Sequence, residues 1–387
     1  MNHEFNQKNL KRFFRKKDEY LIGNIEDSKI IELENAILNE KFQFKEFKII
    51  NKYLNLLDID IYDLLVLRKL NNNIKKIYDL KQADRNSIIN QVSTLLCENS
   101  RDIYVTRLDI KNFYQSIDID VILNKLLKND ILLSYHSKYL LKQLFINHEQ
   151  FKNKKGLFFG LNLSATLSEL YMRDFDKKIK SLDGVYYYAR YVDDIIIFSF
   201  KEMDIKKLIV DEKYLPKGLL INLEKYKYLK IIGSSPFELD FLGYKFKYSS
   251  TDKKLNISIS NNKINKIKTR IILSFLDYYK NLNFNLLHDR IKFITGNYNI
   301  YKNENRFLNG GLSYNYKLVN DDNVFNELDN FLKKTIFSKK GSLGKKNCLD
   351  ITQKDILNKY SFMFSFKNSV LHKFSRIKHG MIKRCWK

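Results

Sequence analysis

The chain is 387 residues long, 44% hydrophobic and formally +25 at neutral pH, with 14% aromatic residues and only two prolines. That length and apolar content provide for two or three packed units and exclude a disordered chain, while the basic excess points to a polyanionic partner, nucleic acid ahead of a membrane. Part of the lysine excess goes with the abundance of Asn, Ile, Tyr and Phe, the bias of an A+T-rich coding sequence, so the sign of the charge carries more weight than its size. Cys97, Cys348 and Cys385 are odd in number and widely spaced, which speaks against a disulfide framework or a cysteine zinc site and for a reducing, cytoplasmic setting. The N-terminus lacks the apolar core of a signal peptide and no run reaches membrane-spanning length, so a soluble protein with no membrane partner is expected.

Residues 1–80 carry apolar residues at helical spacing, as in Ile30 to Leu38 and Tyr62 to Leu70, and read as an N-terminal helical extension with no catalytic pattern. Lys81 to Asn86 then opens an amphipathic helix over Ser87 to Leu96, with Arg85 at its entrance. Val105 to Asp109 reads as a strand ending in an acid, followed by Phe113 and Tyr114. Ser116 to Asn147 is Leu- and Lys-rich with helical periodicity, and the Gly156 to Gly160 loop leads into a helix from about Ser164 to Ile179. Glycines in that loop would let the backbone approach a neighbouring group closely.

Tyr188 to Phe198 is an aromatic and β-branched run interrupted by Asp193 and Asp194, read as a hairpin whose turn carries both acids. Asp-Asp also favours hairpin tips for local hydrogen-bonding reasons alone, so the pair by itself leaves a structural and a metal-binding role open. The second acid-terminated strand weighs toward metal: if the two strands are neighbours, Asp109 converges on the pair in an oxygen-rich site suited to Mg²⁺. Arg190 could reach a backbone phosphate or a carboxylate, and the carboxylate, in a structural role, is the first expectation. Asn261 to Lys280 reads as a basic amphipathic helix with Ile264, Ile267, Ile271, Phe275 and Tyr278 on one face, and Asn309 to Lys317 as a turn-rich segment ahead of a basic tail at 373–379.

The order of these stretches resembles the palm motifs of reverse transcriptases. Asp109 with Phe113 and Tyr114 resembles the first motif, Gly156 to Leu170 the second, Tyr191-Val192-Asp193-Asp194 the third, Gly218 to Lys225 the fourth, and Phe241 to Tyr244 the primer-grip hairpin. The resemblance covers about residues 80–250 and is closest to the prokaryotic defence-associated, abortive-infection enzymes, with retron and group II intron enzymes further off. It implies an α+β right-hand polymerase fold: residues 81–250 as fingers and palm, 251–302 as a helical thumb-like region, and 303–387 as a basic extension suited by composition to RNA.

Function follows from the same resemblance. It implies an RNA-directed DNA polymerase in which Asp109, Asp193 and Asp194 are catalytic, with the Ile110 carbonyl as a further ligand for two Mg²⁺ ions or Mn²⁺ in their place. Arg85 is the first candidate for the triphosphate, with Lys81 and Arg107 as rivals, and Lys225 stands near the leaving pyrophosphate. By the same resemblance Tyr114 would be the residue that excludes a 2′-hydroxyl, and Phe159 and Gly160 would belong to the nucleotide site. Phe158-Phe159 stands where the family has Pro-Gln, which puts conventional handling of the nucleotide in doubt. The implied partners are dNTPs, a noncoding RNA template, the DNA product, and a second reverse transcriptase or effector protein or a further copy of the chain. Untemplated or protein-primed DNA synthesis, an RNA polymerase on the same palm, and a non-catalytic RNA-binding scaffold are the alternatives.

Overall fold

The computed structural model describes residues 3–16, 18–19, 24–50, 53–54, 59–98, 101–128, 131–152, 155–211, 214–303 and 306–386. The chain divides into two compact units, Met1–Ile88 with Arg101–Gly233, and Ile89–Ser100 with Ser234–Lys387. Compactness breaks at 233/234, whereas the motifs drew a boundary near 250, and the first 80 residues fall in the same unit as the 101–233 stretch that carries the acids. The reason is a shared core. Leu65, Leu70 and Ile74 of the Ile61–Ile77 helix are fully buried in one apolar cluster with Leu108, Leu163, Leu167, Ile195 and Ile197, so the N-terminal helices are part of the wall behind the sheet.

The first unit opens with the Gln7–Lys11 and Asp27–Leu38 helices and a two-stranded antiparallel ribbon of β1 (Ile49–Ile50) and β2 (Tyr53–Leu54). Its centre is a four-stranded antiparallel sheet of β3 (Ile103–Asp109), β4 (Val185–Tyr191), β5 (Asp194–Ser199) and β6 (Lys227–Ile231), in the order β4-β5-β3-β6. Leu108 and Ile195 are register partners, as are Thr106 and Ile197, and the Leu108, Ile195 and Ile197 side chains pack into the core cluster with the Asn162–Lys180 helix. Side chains alternate along a strand, so Arg107, Asp109 and Asp194 share the opposite face.

In the second unit β7 (Phe237–Phe241), β8 (Tyr244–Ser249) and β9 (Lys254–Ile259) form an antiparallel meander. Its first turn is Leu242-Gly243, both at positive φ (46° and 83°), as a two-residue hairpin requires. The Asn261–Asn281 helix follows and buries Ile264, Ile271, Phe275 and Tyr278, four of the five residues placed on one face from the spacing. A third sheet has β10 (Asn297–Asn303) at its centre, antiparallel to β11 (Arg306–Gly311) and parallel to β12 (Leu371–Phe374). The Asn309 to Lys317 segment is therefore not the turn-rich stretch expected: it ends a strand and begins the Leu312–Asn315 helix. Gly310 marks a close approach there, since a Cβ at that position would lie 2.7 Å from the Tyr298 ring on the paired strand. Among the described residues no helix is long and apolar enough to cross a membrane.

Candidate active site

Asp109 and Asp194 are register partners across the antiparallel β3–β5 pair, and the Ile110 N–H donates to the Asp193 carbonyl at 3.1 Å. The strands that sequence spacing left as hypothetical neighbours are thus adjacent, and all three acids stand at one end of the sheet. The β4–β5 turn differs in detail from the expectation. It consists of Val192 and Asp193, while Asp194 is already the first residue of β5. Val192 holds φ of +61° at the position where such hairpins favour glycine, a strain on the order of 1–3 kcal/mol that the neighbouring structure must offset.

Part of that offset comes from Arg190. Its Nη1 donates to the Val192 carbonyl at 3.2 Å, Nε and Nη2 hold Asp176 at 2.9 and 2.8 Å, and Nη2 holds Glu169 at 2.6 Å. Arg190 therefore reaches carboxylates as expected, tying the hairpin to the Asn162–Lys180 helix. Glu169 and Asp176 were not singled out from sequence; their spacing of seven places both on one helical face, a signal available in principle.

The acids are not equivalent. Asp109 Oδ2 accepts from Lys225 Nζ at 2.9 Å and Oδ1 from Asn222 Nδ2 at 3.2 Å, and Asp194 Oδ1 accepts from Arg107 Nη2 at 3.2 Å. Burial pushes the Asp193 carboxyl up from its ordinary value, with the negative charges of Asp194 and Asp109 adding to it. Burial also raises Asp194, against the lowering effect of Arg107. The hydrogen bond to Asp109 raises the Lys225 ammonium. Arg107, a rival candidate for the triphosphate, stands two residues before Asp109 on the same strand face and pairs with Asp194.

Beyond Asp109, Asn112 takes a left-handed turn (φ 48°) into the short Phe113–Ser116 helix, which carries Tyr114. The Leu157 N–H donates to the Tyr114 carbonyl at 2.7 Å, so the glycine loop is laid against this helix. Gly156 approaches the chain itself closely: φ is +85°, and a Cβ would lie 2.5 Å from Gln115 Cα. The loop brings the Phe159 ring edge-on to Tyr114 at a centroid distance of 5.2 Å. Burial raises the Tyr114 hydroxyl, against a hydrogen bond to Ser168.

A cavity of about 580 Å³ lies here, with Asp109, Ile110, Tyr114, Phe159, Asp193 and Lys225 among its walls. Arg85, Gly160 and Asp194 do not line it. Arg85 is the first residue of the Arg85–Cys97 helix, and Lys81 pairs with Asp79 at 3.4 Å. Among the described residues, no three His, Cys, Asp or Glu side chains form a ready-made cation cage. The donors nonetheless fit a hard cation such as Mg²⁺, which takes oxygen ligands and needs only one or two carboxylates when water and substrate phosphates complete its shell. Burial is the main reason the Asp193 carboxyl is pushed up, with the charges of Asp194 and Asp109 adding to it, and a cation among the three would oppose both effects.

The sequence profile described as reverse transcriptase (RNA-dependent DNA polymerase) matches residues 47–246, just over half the chain. A curated relative, the retron Ec83 reverse transcriptase of Escherichia coli, is 32% identical over 108 residues, 27% of this chain and 34% of that protein. The match thus spans about a third of the relative's length. Solved structures with some likeness include apo telomerase from Candida tropicalis truncated from the C-terminal domain (TM-score 0.36, 17% identity, 50% of this chain and 44% of that one). Telomerase from Candida albicans in complex with a fragment of telomeric RNA is another (TM-score 0.34, 14% identity, 76% and 52%). On the profile that spans the acid-bearing strands, the chain belongs to the reverse transcriptase family.

Proposed function

We propose that the protein is an RNA-directed DNA polymerase that transfers dNTPs onto a primer 3′-hydroxyl. The observation that carries this reading is the β3–β5 register, which puts Asp109 opposite Asp194 and bonds Ile110 to Asp193 in the wall of one cavity. Asp109, Asp193 and the Ile110 carbonyl would hold two divalent ions, most simply Mg²⁺, whose chemistry when bound is activation of the primer hydroxyl and neutralisation of the triphosphate. Asp194 fixes the end of the sheet through Arg107. Tyr114, braced by Phe159, takes the space a 2′-hydroxyl would need, and Lys225 is placed to donate to phosphate oxygens.

The finer reading is a bacterial antiphage enzyme copying a noncoding RNA, supported by the motif resemblance and by the local likeness to a retron reverse transcriptase. Primer extension on RNA and DNA templates tests the chemistry. Asp193→Ala with Asp194→Ala should abolish dNTP incorporation while far-UV circular dichroism is unchanged, and retained synthesis would refute the assignment. Plaque assays with the wild-type chain and the double mutant test the defence role, where equal protection by the mutant would exclude it. A second reading, untemplated or protein-primed synthesis by the same palm, is favoured by Phe158-Phe159 in place of Pro-Gln; dNTP incorporation without added template would support it.

A further inference from the structure

Both carboxylate oxygens of Asp109 are engaged by one short segment, Asn222 on Oδ1 and Lys225 on Oδ2. The backbone fixes that segment independently of these side chains. The Asn222 N–H donates to the Asp109 carbonyl at 2.8 Å, the Lys111 N–H to the Leu220 carbonyl at 2.8 Å, and the Lys225 N–H to the Asn222 carbonyl at 3.1 Å. The Leu223–Lys225 turn is therefore clamped to the end of β3, yet the Lys225 side chain is 52% exposed while that of Asp109 is 5% exposed. One partner of the ion pair is fixed and dry; the other is wet and free to swing on a four-carbon stem.

Lys225 occupies an Asp109 oxygen that a divalent ion would also need, so the two would compete for it and the ammonium would be repelled. The displaced ammonium remains at a cavity also lined by Lys111, Tyr114 and Phe159, the place this reading gives to a nucleotide triphosphate. We propose that Lys225 is an exchangeable counter-ion, paired with Asp109 until a divalent ion takes that oxygen and then passed to the phosphate oxygens of the incoming nucleotide. Lys225 thereby lowers the metal affinity of the nucleotide-free protein and couples metal binding positively to nucleotide binding. The proposal rests on the polymerase reading above and assigns Lys225 a role before chemistry begins.

The test uses the full chain without nucleotide, titrated with Mn²⁺ and followed by electron paramagnetic resonance of the free ion. Lys225→Gln should bind Mn²⁺ more tightly than wild type, by roughly two- to fivefold for a half-exposed pair, and Asp109→Asn should lose that binding. In equilibrium dialysis with dATP, Ca²⁺ should raise the affinity of the wild type and raise that of Lys225→Gln markedly less. If Asp109→Asn removes Mn²⁺ binding while Lys225→Gln leaves the affinity unchanged or weaker, the counter-ion exchange is wrong and the polymerase reading stands. If Asp109→Asn leaves Mn²⁺ binding intact, the metal site falls and the exchange with it. A gain from Ca²⁺ of equal size in both proteins would overturn the coupling.

Discussion

The guanidinium of Arg190 lies against the carboxylate of Asp176 in a two-pronged pair, Nε 2.9 Å from Oδ1 and Nη2 2.8 Å from Oδ2, with the Arg190 side chain only 4% exposed. Breaking such a pair from one side leaves buried charge behind. Arg190→Met should destabilise the protein by about 3–5 kcal/mol, read as a lowered urea midpoint. Arg190→Lys should recover only part of the loss, because an ammonium cannot bond Asp176, Glu169 and the Val192 carbonyl from one plane. Wild-type stability in Arg190→Met would show that the network contributes nothing.

Asp63 gives a pH signature. It is 2% exposed in the Ile61–Ile77 helix, and burial pushes its carboxyl up to about 6, opposed by a hydrogen bond from the Lys45 N–H. A carboxyl whose folded value exceeds its unfolded one favours the folded state most below the unfolded value, near 3.8, and loses that contribution as pH rises through about 6. Asp63→Asn keeps the acceptor for Lys45 and removes the charge. Above pH 6 the variant should be more stable than wild type, by at most about 3 kcal/mol, with the difference shrinking toward pH 4. Parallel melting curves across that interval check it, and a pH-independent difference would remove Asp63 as the source.

Tyr114 and Phe159, both in the cavity wall and proposed above to guard the sugar, make a testable pair. Tyr114→Ala should raise the rNTP-to-dNTP incorporation ratio by on the order of 10²-fold, since the discrimination proposed is exclusion of an added hydroxyl by a filled space. Phe159→Ala should move the ratio in the same direction by less, because it removes the brace and not the barrier. Competition assays with mixed nucleotides measure both, and an unchanged ratio in Tyr114→Ala would assign the ring to packing alone.

Gly156→Ala probes the loop that carries Phe159. Alanine there combines a φ of +85° with a Cβ placed 2.5 Å from Gln115 Cα, so the loop or the Phe113–Ser116 helix must move. A loss of about 2–4 kcal/mol is expected, seen as a lower melting temperature. A neutral substitution would mean that the close approach is not required.

The sequence by itself determined the elements and the order of the chemistry-bearing residues. The β3 strand, the acid-bearing hairpin, the Asn162–Lys180 helix and the Asn261–Asn281 helix are all written in local apolar periodicity, which backbone geometry turns directly into a face. Tertiary structure decided which faces meet and who partners whom. Asp109 bonds a lysine 116 positions away and Arg190 a carboxylate 14 positions away on a separate helix, and no local period carries from one element into another. The spacing of the N-terminal helices fixes an apolar stripe and not the surface it covers, which the shared core with the sheet supplies. Gly310 looked like a turn because a glycine reports only that a side chain is unwelcome, and the Tyr298 ring that excludes it comes from the paired strand. Periodicity is a property of neighbours along the chain, whereas charge pairing and close packing are properties of neighbours in space, which exist only once the chain has folded.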